Sequence, residues 1–200
     1  MSKIINIAIA AAVIALGVTL FFYLRPGTAP TATQLNIEKF EKAVNDKPDD
    51  PTLRANLGAA YLDAGRYDDA IRELQTALSQ APNQPILLLK MGVAYEKKGD
   101  LDNAIDQFSH AADAYSSGQK YEAYYQMAQL EFNRGSLDAA KGDLQKSFAD
   151  GDITWTSHYL MGQILEQQGD KAGALKEYQA AAQFNPNDQD LQNAIKRVST

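Results

Sequence analysis

The chain has 200 residues, with 19 basic and 25 acidic side chains, a formal net charge of −6, two histidines and no cysteine. The acidic balance argues against nucleic acid and anionic lipid surfaces as partners, because both are bound through an excess of Lys and Arg. Without cysteine there is no disulfide, no thiolate nucleophile and no Cys-type zinc site.

Residues 4–24 carry no charge. As a helix rising 1.5 Å per residue they span about 31 Å, close to a hydrocarbon core of about 30 Å. Lys3 and Arg25 flank the run, Phe21, Phe22 and Tyr23 form an aromatic cluster at one end, and Pro26 follows. The run exceeds the 7–15 apolar residues of a cleaved signal peptide. No good small-x-small cleavage site follows the run, because after Gly27-Thr28-Ala29 comes Pro30, a poor start for a mature chain. The reading is an uncleaved transmembrane anchor over 1–25, then a flexible linker over 26–34. Lys3 on a three-residue tail places the N-terminus in the cytoplasm and the rest of the chain on the periplasmic or cell-surface side. Residues 35–200 hold 17 basic and 25 acidic side chains, a net charge of −8, because Lys3 and Arg25 fall outside them. Their length suits one domain.

Phe40, Ala43 and Pro48 repeat the spacing of Leu74, Ala77 and Pro82, so residues 35–50 read as a half-unit that opens an array. From Pro51 to Gln84 the pattern is fuller. Leu53, Leu57, Ala60 and Tyr61 lie at helical spacing. Gly65 ends that helix in the left-handed cap conformation. Asp68 and Asp69 suit the first turn of a second helix. Ala70, Ile71, Leu74, Ala77 and Leu78 give it one apolar face, and Pro82 stops it. Units of this kind are expected at about 51–84, 85–118, 121–154 and 155–188. Tyr115 to Lys120 absorb two extra residues in a longer turn. Leu191, Ala194, Ile195 and Val198 share one face of a capping helix over 188–198.

The period itself is informative. Gly58 and Gly92 are 34 apart, as are Ala128 and Gly162. Gly65, Gly99, Gly135 and Gly169 recur at 34, 36 and 34, and Ala70, Ala104, Ala140 and Ala174 follow each by five. A mid-helix glycine costs about 1 kcal/mol against alanine, so its recurrence at one phase implies helices that approach closely. Leu57-Gly58, Tyr61, Ala70, Leu74 and Pro82, then Met91-Gly92, Tyr95, Ala104 and Phe108, resemble the tetratricopeptide repeat (TPR) pattern. Met161-Gly162, Ala174, Tyr178 and Pro186 repeat it. The third unit departs most, with Met127-Ala128, Glu131 and Asp152 where Leu-Gly, Tyr and Pro are usual.

The resemblance implies an all-α fold: an α-solenoid of tetratricopeptide helix hairpins preceded by one N-terminal transmembrane helix. It also implies a concave face, built from the first helices, that binds a protein or peptide. By phase, a peptide-binding groove would be lined by Leu89, Val93, Tyr125, Gln129, Phe132, Tyr159 and Gln163. Chaperone-binding members clamp a C-terminal carboxylate with Lys, Asn and Arg. Here the matching places hold Ala55, Ala59, Lys90, Glu122 and Gln126, so that clamp is absent. The groove suits a segment with apolar side chains.

Chemistry is poorly represented. His158 and His110 fall on different repeats and read as one packed and one solvated histidine. Asp49-Asp50 and Asp68-Asp69 read as helix-capping pairs. No phosphate loop, zinc helix motif or nucleophile elbow is present. Trp155 reads as packing. No catalytic residue, metal or cofactor is expected, and no small-molecule substrate. The leading reading is a membrane-anchored interaction scaffold, held at the membrane by residues 4–24, that serves assembly, biogenesis or secretion at a bacterial membrane. It resembles the accessory factors of such systems. The alternatives are a permanent structural subunit of a membrane complex and, least supported, an enzyme.

Overall fold

The computed structural model describes residues 31–199. The expected anchor over 4–24 and the start of the linker lie outside them. Among the described residues no helix is long and apolar enough to cross a membrane. These residues form ten helices and no strand: α1 (Ala32–Asp46), α2 (Pro51–Asp63), α3 (Tyr67–Gln80), α4 (Pro85–Lys98), α5 (Leu101–Ala114), α6 (Tyr121–Asn133), α7 (Leu137–Ala149), α8 (Trp155–Gln167), α9 (Lys171–Phe184) and α10 (Gln189–Val198).

The local chemistry explains the boundaries. α1 begins inside the stretch expected as linker, because Thr31 and Gln34 form a reciprocal capping box. Two backbone donors that a linker would leave to water are thereby satisfied. Asp50 caps α2, accepting from the backbone of Thr52 and Leu53, and Pro51 supplies the preset first turn. Asp68 and Asp69 do open α3, but neither caps it. Asp68 pairs with Lys98, and Asp69 with Arg66 and Arg72. Each hairpin turn passes through a glycine at positive φ, from 73° at Gly65 to 87° at Gly99, where a side chain would be strained.

Within a hairpin the two helices cross at the small residues. A Cβ on Gly58 would lie 2.8 Å from Leu74 Cγ, and one on Gly162 would lie 2.5 Å from Tyr178 Cε1. A Cβ on Gly92 would enter the Phe108 ring. Leu74, Phe108 and Tyr178 are fully buried. The missing methyl group is therefore filled by a large side chain from the second helix. In the third hairpin Ala128 and Leu144 take these places, both buried.

Hairpins then stack in chain order, α3 on α4 and α5 on α6, with a thinner junction between α7 and α8. First helices also touch one another, α2 with α4 and α6 with α8, which puts their row on the inner side of the stack. Leu191, Ala194 and Val198 of α10 close the last core, against Met161, Leu165 and Tyr178.

The thin junction is held by polar groups. Ser147 stands where the other hairpins carry Ala77, Ala111 and Ala181. Its hydroxyl donates to Asp152 Oδ2 at 2.8 Å, and Ser157 donates to the same oxygen at 2.5 Å. All three residues are buried. The Thr154 backbone N–H donates to the other carboxylate oxygen at 2.9 Å. Two residues earlier, Asp150 accepts from the backbone of Gly118, Lys120 and Tyr121, and so pins the longer turn before α6.

Candidate protein-binding face

The first-helix row is continuous towards the C-terminus. Tyr125 of α6 lies beside Thr156 of α8, and Tyr159 of α8 lies within electrostatic reach of Asp190 and Arg197 on α10. Burial is the main cause that raises both tyrosine hydroxyls above their ordinary range, and nearby carboxylates add to it. Arg197 reaches back from α10 to Glu166 on α8 with two bonds, 2.5 and 2.8 Å. Tyr178 donates to the same carboxylate at 2.7 Å. The guanidinium holds Glu166 below the usual carboxylate range, against the opposing effect of burial. α10 thus caps the core and also extends the inner row, a second role not visible in its apolar pattern.

The seven expected groove residues are all half-buried, but they are not equivalent. Leu89 and Val93 pack against the core around Phe108 and Met127. Tyr125, Phe132 and Tyr159 pack against the core of the last two hairpins. The Tyr159 ring lies 5.6 Å from Tyr178 and 6.3 Å from Trp155, centroid to centroid. These five side chains therefore give one side to the interior. Gln129 and Gln163 differ: among the described residues their amides have no hydrogen-bond partner. Ile86, one helical turn before Lys90 on α4, is 60% exposed and adds an aliphatic surface to the row. A separate cleft lies between α1 and α2, with a volume of about 570 Å³ and a lining that includes Leu35, Lys39 and Asp63.

The histidines take separate surroundings. His158 Nδ1 meets Glu177 Oε2 at 2.7 Å and its ring stacks on Phe148 at 4.9 Å. His110 is exposed, in the wall of a cleft with Leu88 and Asp113. Among the described residues no group of acidic and His side chains could hold a metal ion. Trp155 packs against the last core.

Stacked two-helix hairpins with an open inner row define an α-solenoid repeat protein, a fold typical of protein–protein interaction scaffolds. Tetratricopeptide repeat family models match residues 37–85 and 55–118, and again 155–188. The chain belongs to the tetratricopeptide repeat family. The matches indicate a helical repeat, and none of them is to a catalytic family. No curated protein matches the sequence. Among solved structures, the chain is similar to MamA, with 21% identity, a TM-score of 0.67, and 74% of this chain and 85% of that one covered. It is also similar to YrrB, described as a TPR protein with an unusual peptide-binding site, at 18% identity, a TM-score of 0.66 and coverage of 81% and 82%. A third is TTC0263, a thermophilic TPR protein in Thermus thermophilus, at 21% identity, a TM-score of 0.59 and coverage of 92% and 95%. At these identities the likeness concerns the fold.

Proposed function

We propose that this chain is a membrane-anchored scaffold that receives a protein or peptide segment along the row of first helices. The observation that carries the reading is the pair Gln129 and Gln163. Both residues are half-buried, one helical turn after Tyr125 and Tyr159, and their amides have no hydrogen-bond partner among the described residues. Amides placed so can bond the backbone of an extended segment, while the apolar residues around them bury its side chains. YrrB, of the same fold, is described by its peptide-binding site, which is compatible with this use of the fold. The anchor rests on the uncharged run 4–24, and the orientation on Lys3. The scaffold then stands outside the cytoplasm, in assembly, biogenesis or secretion at a bacterial membrane.

A photo-crosslinking side chain tests the face directly. Placed at Gln129 or Gln163 in the membrane-bound chain, it should give adducts with a partner, while the same group at Asp106 or Gln145 on second helices should not. Adducts confined to the second helices would refute the inner face as the binding surface. Alkaline carbonate should leave the chain in the membrane pellet. Release into the supernatant would remove the anchor, and protection from external protease in spheroplasts would reverse the orientation.

A further inference from the structure

The inner row carries carboxylates that lack a cation, and the fold itself shows what completes one. Glu166 on α8 is joined by Arg197 from the next first helix, two nitrogens on two oxygens. Glu96 on α4 occupies the same place in the second repeat, one residue after Tyr95 as Glu166 follows Leu165. The place of Arg197 on the following first helix is taken there by Gln129. Glu96 has no ion pair among the described residues. Among the described residues Glu122 accepts only the amide of Gln126, at 2.9 Å. Asp190 at the far end is exposed and has no ion pair among the described residues.

The cations of the molecule lie mostly elsewhere. Arg54 serves Glu73, Arg66 and Arg72 serve Asp69, Lys98 serves Asp68, Arg134 serves Asp102 and Lys146 serves Asp143. All these carboxylates belong to second helices. Two cations of α4 are exceptions: Lys90, at one of the places matched to the chaperone clamp, and Lys97, beside Glu96 in sequence, have no ion pair among the described residues.

Resting on the reading that the inner face binds a segment, we propose that this segment is cationic as well as apolar. An Arg or Lys of the partner sits on Glu96 as Arg197 sits on Glu166, and flanking apolar side chains lie on Ile86, Leu89 and Val93. Charge complementarity selects this occupant. A neutral apolar segment would cover Glu96 and strip its water without replacing the lost hydrogen bonds. An acidic one would be repelled. A guanidinium restores the bonds in bidentate form, and the net −8 of residues 35–200 draws it in.

Three fluorescein-labelled peptides test this with the full chain in detergent micelles. One alternates Leu with Arg, the second replaces Arg with neutral citrulline, and the third replaces Arg with Glu. The Arg peptide should bind at least about tenfold more tightly than the citrulline twin, as expected for a charge-assisted bidentate bond, and the Glu peptide should not bind. Glu96→Gln should abolish the advantage, and Asp106→Asn on the outer α5 should preserve it, with helicity unchanged in both. Equal binding of the Arg and citrulline peptides overturns the proposal, and so does equal loss in the two variants, which would mean diffuse attraction only. The two readings fail differently. If the citrulline peptide binds as well and crosslinks at Gln129, the face stands and the cationic class falls. If the Arg peptide crosslinks only at second-helix positions, both fall.

Discussion

The first two hairpins and the junction after the third solve one packing problem in two ways. In residues 51–118 the helices lock through apolar volume, with Leu74 over Gly58 and Phe108 over Gly92. At the junction of α7 and α8 the apolar consensus is abandoned. Ser147, Asp152 and Ser157 meet in the interior, and Asp150 holds the preceding turn. Tetratricopeptide repeat models match the first region and leave 119–154 unmatched, although α6 and α7 form the same hairpin. The fold therefore does not require a particular chemistry at these positions. It requires that every buried group be filled or bonded, and among the described residues no buried side-chain polar atom is left without a partner.

The comparison can be broken most forcefully on the apolar side. Phe108→Ala empties the space over Gly92 and should cost about 3–5 kcal/mol, the range for a buried aromatic, read as a lowered urea midpoint. Gly92→Val should destabilise as well, by about 1–3 kcal/mol from overpacking, even though it removes a helix glycine. A stable Gly92→Val would mean that the two helices can part more freely than the buried ring implies.

On the polar side, Asp152→Ala removes the acceptor that Ser147, Ser157 and the Thr154 N–H share. Ser147 keeps the Tyr121 carbonyl at 2.9 Å and Ser157 the Thr154 hydroxyl at 2.9 Å, so the loss should be about 1–2 kcal/mol. The triple variant Ser147→Ala, Asp152→Pro, Ser157→Leu installs the residue types of the other repeats. It should lose less than Asp152→Ala alone, because the two hydroxyls leave together with their shared carboxylate. Additive losses would show that the three groups do not act as one network.

The mildest test is acid. Burial pushes the Asp152 carboxyl up, but bonds from Ser157, Thr154 and Ser147 outweigh it and leave it below its ordinary value. Backbone donors led by Gly118 lower Asp150 likewise. Depressed carboxylates contribute stability that is present above the unfolded value of about 3.9 and lost as pH falls through the folded value. Hydrogen exchange should therefore quicken in 115–160 before it does in 85–114 as pH drops below about 4. A uniform response along the chain would place the acid-sensitive groups elsewhere.

Repeat phase was legible because a helix crossing leaves room for one small residue only, and Gly58, Gly92, Ala128 and Gly162 record it. The turn glycines were legible for the same kind of reason: their backbone demands positive φ. The start of α1 was missed because its signal is a reciprocal pair, Thr31 with Gln34, in a stretch whose composition reads as linker. Groove phase chose residues on the first helices, but it could not separate Tyr159, packed on one side against Tyr178, from Gln163, whose amide has no partner among the described residues. That division depends on neighbours supplied by other repeats.

By itself, then, the sequence determined the hairpin and its period, because each unit's helix lengths, caps and crossing residues are local. Only the tertiary structure decided that Asp150 and Asp152 stand in for apolar packing, and that Arg197 answers Glu166 while Glu96 is left without a cation. The pairings of Asp150 and of Arg197 join residues about thirty positions apart, and stacking alone brings them within bonding distance; Asp152 bonds near neighbours in sequence, Ser147 and Ser157, but does so in the interior between α7 and α8.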